Sequence, residues 1–138
     1  MNYVIITAIK MCDNMANVTV NSTLFNVSEV KYFSSICKGI YTDNEINFFD
    51  NNIETKIIIN DDTLSIHRIC EEYNIEINLN LDEKLSGKYY IRGLGYLSLL
   101  SKTKSLIIEK NKVSAEYELI IDNKEIVRFE YNLEYEEE

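Results

Sequence analysis

The chain has no proline, four glycines and one histidine among 138 residues, and each scarcity removes a class of structure or chemistry. Without proline and with little glycine, turns fall to Asn, Asp and Lys, which tolerate or locally stabilise turn backbone. His67 has no second histidine or cysteine at ligand spacing, so a metal site built on it is not expected. Three cysteines, Cys12, Cys37 and Cys70, are odd in number and far apart, which argues against both a disulfide framework and a zinc site. Reduced, mostly buried thiols are expected instead. One histidine and scattered acids do not assemble a nucleophile, base and orienting group, so the chain reads as a non-enzyme with no catalytic residue, metal or cofactor.

Long apolar runs are also missing. Met1-Asn2-Tyr3-Val4-Ile5-Ile6 is interrupted by Thr7, Lys10 and Asp13 before a secretory core or a membrane span is complete, so no membrane association and a cytoplasmic location are expected. Positive charge is scarce: 14 Lys and Arg against 23 Asp and Glu give a net charge of −9, which repels nucleic-acid backbones. Direct DNA or RNA binding is therefore excluded from the expected functions. The acidic end, Glu134, Glu136, Glu137 and Glu138, reads as a charged terminus rather than a binding element.

What the sequence does have is apolar residues at every second position. Val127, Phe129, Tyr131, Leu133 and Tyr135 alternate with Arg128, Glu130, Asn132 and Glu134, which describes a strand with one dry and one wet face. The same period runs through Val113 to Ile121 and Ile75 to Leu81. Asn60-Asp61-Asp62, Lys110-Asn111-Lys112 and Asp122-Asn123-Lys124 separate successive strands and predict tight hairpins. Upstream, Asn2 to Lys10 and Asn17 to Phe25 are expected to pair around Asp13-Asn14, and Ile46 to Asp50 forms a short strand. Val27 to Lys38 admits a short helix or a strand, because Val27, Val30, Phe33 and Ile36 fall three residues apart. With 46% hydrophobic residues the chain folds as one domain spanning residues 1–138. Its class is all-β, a single antiparallel up-and-down barrel of about 8–10 strands, since so many strands must hide both a dry face and their edges.

Arg68 shares the face of Leu64 and Ile66, so its guanidinium is expected either to hold an anion inside the barrel or to reach a buried acid such as Asp50. His67 falls on the opposite, outer face. Lys88 to Tyr96, with Gly93 and Gly95 among aromatics, reads as a β-bulge or corner and lacks the context of a phosphate loop. Lys102, Lys104, Lys110 and Lys112 read as edge lysines that discourage sheet-to-sheet association. The paired acids Asp61-Asp62, Glu71-Glu72 and Asp82-Glu83 fall in or beside turns, where solvent leaves them without a general-acid role.

Three stretches carry a resemblance to the YwiB-like proteins, a family of uncharacterised bacterial proteins. Thr63-Leu64-Ser65-Ile66-His67-Arg68 resembles that family's strand ending in Arg. Tyr90 through Gly95, Leu97, Leu99 and Thr103 follow its pattern of Tyr, Gly, alternating apolar residues and Thr, and Tyr117-Glu118-Leu119 opens its closing hairpin. The chain departs from the pattern at Cys70, where the family tends to have Gly, and at Phe48-Phe49-Asp50, where it tends to have Tyr before two acids. The resemblance implies a calycin-like barrel, similar to lipocalins and fatty-acid carriers, and no particular activity. The expected function is a cytoplasmic barrel that takes a small apolar or amphipathic ligand, with Phe48, Tyr90, Tyr96 and Tyr117 around it and Arg68 or Arg92 at its polar end. The alternative is a side-chain-filled barrel acting through its surface on a protein partner or as a homodimer.

Overall fold

A computed structural model describes residues 15–138. Ten strands follow one another: β1 Met15–Asn26, β2 Lys31–Thr42, β3 Glu45–Asp50, β4 Ile53–Ile59, β5 Thr63–Ile69, β6 Tyr73–Asn80, β7 Leu85–Ile91, β8 Gly95–Glu109, β9 Lys112–Ile121 and β10 Glu125–Glu137. Each pairs antiparallel with its chain neighbours, and β1 also pairs with β10 from Val18↔Glu137 to Asn26↔Phe129. The sheet thereby closes into a barrel.

Alternation decides the inside. On β9, Val113, Ala115, Tyr117 and Leu119 are each no more than 4% exposed, while Ser114, Glu116 and Glu118 alternate with them on the outer face. On β10, Tyr131 and Leu133 are buried beside exposed Asn132 and Glu134. The three expected hairpins form where the Asn, Asp and Lys clusters stand. Asn111, Asp122 and Asn123 take the left-handed backbone (φ 55–66°), which Asn and Asp adopt more readily than other non-glycine residues. Asn51 and Asn52 do the same between β3 and β4.

Two local expectations need correction, and a third falls outside the described residues. Residues 27–38 form no helix: Val27–Val30 is a turn, and β2 then runs twelve residues against β1. Val27, Val30, Phe33 and Ile36 are all exposed, so their three-residue spacing marks no buried helical face. A helix there would strip the ladder from one side of β1, and the gain of twelve cross-strand pairs outweighs a weak helical period. The bulge lies at Lys104, between Thr103 and Ser105 of β8, and Gly93 and Gly95 instead make the β7–β8 turn with φ of 84° and 102°. The partner expected for Asn17 to Phe25, residues 2–10, lies outside the described residues; β1 takes β2 and β10 as its neighbours.

The barrel's interior divides by height. Val18, Val20, Ile46, Ile57, Leu64, Leu79, Val113 and Leu133, all fully buried, pack the end that holds the β2–β3, β4–β5, β6–β7 and β8–β9 turns. Each such side chain contributes on the order of 1.5–3 kcal/mol on leaving water. The other end, with the β1–β2, β3–β4, β5–β6, β7–β8 and β9–β10 turns, is not filled.

A candidate ligand cavity at the open end of the barrel

That unfilled end is a cavity of about 500 Å³, within the usual range of small-molecule sites. Ile66, Ile77 and Leu119 lie deepest, next to the packed half, and Phe48, Ile75, Tyr89 and Phe129 form walls above them. Four consecutive residues of β2, Tyr32 to Ser35, border the cavity. A strand cannot aim four successive side chains inward, so here its backbone edge faces the opening. The register agrees: β2 pairs with β3 only from Gly39 to Thr42, and among the described residues Lys31–Lys38 has a ladder partner on one side alone, β1. Asp50, Asn51 and Ile53 of the β3–β4 hairpin border the opening across from it.

Arg68 reaches this cavity because it follows Leu64 and Ile66 at two-residue spacing on β5, between Thr55 and Ile75 of the neighbouring strands. Among the described residues it makes no side-chain hydrogen bond and no ion pair with Asp50 or any other carboxylate. Its guanidinium instead acts across the barrel on two phenols, those of Tyr117 on β9 and Tyr131 on β10. Burial holds both phenols well above their ordinary value; Tyr131 pushes Tyr117 further up, and Arg68 pulls each of them back. Both hydroxyls therefore stay protonated at neutral pH and are available as donors. Ser22 and Ser35 share a hydrogen bond of 3.0 Å beside Tyr131, and Tyr117 stacks on Phe129 with ring centroids 5.6 Å apart and planes 28° apart. The result is one cation facing two phenols and a stacked aromatic wall across the cavity, with apolar residues below.

Of the six residues expected around a ligand, Arg68, Phe48 and Tyr117 line the cavity. Arg92, Tyr90 and Tyr96 do not. Arg92 sits in the β7–β8 turn, exposed and ion-paired with Glu71 at 3.0 Å. Tyr90 and Tyr96 face each other across the β7–β8 pair on the outer surface, centroids 5.0 Å apart. The cavity uses Tyr89 instead, which pairs with Ile75 and Leu97 on the inner face. The flanking residues point to this choice, since Tyr89 shares its parity with Leu85 and Ile91 while Tyr90 shares its parity with Ser86, Lys88 and Arg92. Tyr131, Tyr73 and Phe129 also line the cavity, and the inward period of Val127, Phe129, Tyr131 and Leu133 points to two of them; Asp50, the acid expected near Arg68, borders the same cavity without pairing with it.

His67 faces outward and contacts Glu76 at 3.2 Å. Asp61, Asp62, Glu71, Glu72, Asp82 and Glu83 are all exposed. No three His, Cys, Asp or Glu side chains come together as a metal site among the described residues.

No protein-family model matches the chain, and no curated protein does. In structure the chain is similar to the ywiB protein of Bacillus subtilis, whose crystal structure superposes with a TM-score of 0.62 over 91% of this chain and 94% of that one, at 14% sequence identity. The likeness extends the resemblance of the three stretches to the whole barrel and shows a shared fold.

Proposed function

We propose that this barrel is a non-catalytic binding protein for a small amphipathic molecule, held in the open-end cavity with its acidic group on Arg68. The observation that carries the reading is that Arg68 faces Tyr117 and Tyr131 across one cavity, which all three line. A cation is costly to draw toward a barrel interior unless something there answers it, and a bound anion with two phenol donors does so. The apolar floor supplies the remaining binding energy through burial. Catalysis has no support from the same geometry. Burial, then the Asp50 charge, pushes the Cys37 thiol up, away from the thiolate form, and His67 points to the opposite face. A cytoplasmic carrier or sensor fits an acidic barrel whose cysteines are unpaired among the described residues.

Native mass spectrometry of gently purified protein tests the reading. The expected spectrum carries a bound mass on the order of a few hundred daltons, released on denaturation and lost in Arg68→Met while the strand signal in circular dichroism persists. A clean unliganded mass that no anionic amphiphile shifts would overturn it.

A second reading, a surface that meets another protein or a second copy, is favoured by the exposed aromatic pair Tyr90–Tyr96 with Leu94 beside it on the β7–β8 hairpin. Sedimentation at rising concentration checks it: self-association weakened by Tyr96→Ser supports it, and a concentration-independent monomer removes the second-copy form.

A further inference from the structure

Resting on the reading of the cavity as a ligand site, we infer that its ligand is a compact aromatic monoacid, an aryl carboxylate, rather than an acyl chain. Eight of the twenty-one residues that border the cavity are aromatic, against 11% of the chain as a whole. Tyr32 and Phe33 of β2 are exposed at the rim, and the others come from several sides of the barrel: Phe48 on β3, Tyr73 on β6, Tyr89 on β7, Tyr131 on β10, and the Tyr117–Phe129 stack across β9 and β10. A chamber walled this way offers ring faces to a flat guest, which pairs with them by offset stacking or edge contact. A flexible chain gains no such directional contact and loses rotamer freedom on entering.

The position of the acid follows from Tyr117. This residue belongs both to the stacked wall and to the phenol pair that Arg68 acts on. Arg68 lines the same cavity of about 500 Å³ from the facing side, so a guest that carries its acid at or next to the ring is compact enough to meet the wall and the guanidinium together. A carboxylate suits the planar guanidinium fork, which binds it through two parallel N–H donors, while the Tyr117 and Tyr131 hydroxyls supply further donors. Asp50 sets the charge. It borders the opening opposite β2 and acts electrostatically on Tyr131 in the sense that opposes ionisation there, so a second negative group on the guest would meet repulsion.

Isothermal titration with three probes, 2-naphthoate, decanoate and 2-naphthylmethanol, separates the possibilities. The expected order places 2-naphthoate roughly tenfold or more tighter than either of the others. Arg68→Met should remove most of that advantage, leaving naphthoate and naphthylmethanol about equal. Phe129→Leu, which keeps an apolar wall but no ring stack, should weaken naphthoate several-fold and leave decanoate unchanged. Decanoate binding as tightly as naphthoate in an Arg68-dependent way would overturn the aromatic assignment and leave the cavity a ligand site. Failure of all three probes to bind the folded wild-type protein would overturn both.

Discussion

Thr103 shows how a single buried atom can be tested. It is 8% exposed, and its Oγ1 is buried without a hydrogen-bond partner among the described residues. A lone hydroxyl costs about 1–3 kcal/mol when taken from water, so Thr103→Val should leave stability unchanged or raise it by up to about 1 kcal/mol, read as the urea midpoint. Gly87 makes the opposite case. A Cβ at this position would run into the backbone carbonyl oxygen of Glu76 on β6, with Leu99 also close. Gly87→Ala should therefore cost about 2 kcal/mol or more by forcing β6 and β7 apart, in the same denaturation assay. Residue-scale features divide sharply in what the sequence reveals. The inward aim of Arg68 is legible because Leu64 and Ile66 fix its parity. Tyr89 over Tyr90 is legible in the same way, from Leu85 and Ile91 on one parity and Ser86, Lys88 and Arg92 on the other, whereas the exposure of Arg92 in a turn depends on where β7 ends.

At the scale of elements, the β1–β2 hairpin carries a strained turn. Val30 has φ 55°, a left-handed backbone that a β-branched side chain resists, and it is 74% exposed with no compensating burial. Val30→Gly should raise the melting temperature, by a stability gain of about 1 kcal/mol, and Val30→Asn should do so less. This turn and the strand after it are also the least legible in the sequence. Strands β4, β5, β9 and β10 announce themselves by alternation and by Asn, Asp and Lys clusters at their ends. Residues 27–38 have neither, and their state is decided by β1, whose hydrogen-bonding edge needs a partner. Partner demand is a property of the assembled sheet, invisible to any local window. The split between β6 and β7 is similar. Their pairing ends at Glu76↔Lys88, and the Ser101 hydroxyl of β8 bridges the gap by donating toward the Asn78 and Leu85 carbonyls. No periodicity predicts that bridge.

For the whole molecule, two buried phenols tie stability to pH. Up to the ordinary phenol value of 10.0, folded and unfolded chains keep the Tyr117 and Tyr131 protons and neither residue affects the balance. Above it the unfolded chain releases them and the folded chain does not. Stability should then fall by about 1.4 kcal/mol per pH unit for each tyrosine until the folded phenols ionise. Melting temperatures across alkaline pH check this, and a Tyr117→Phe, Tyr131→Phe double variant should flatten the decline. Closure of the ring gives a kinetic expectation. Every strand pair joins chain neighbours except β1–β10, which spans almost the whole described chain. That contact pays the largest loop entropy and should form last. Val20→Ala, buried at the β1 seam, should cost about 2 kcal/mol, mostly as faster unfolding with little change in folding rate. The half-paired strand at the cavity opening has a different kind of consequence. Along Lys31–Lys38 the rim is made of main-chain amides and carbonyls, which every amino acid supplies alike. Side-chain substitutions along this stretch therefore change what flanks the opening while the row of main-chain donors and acceptors at its edge stays the same.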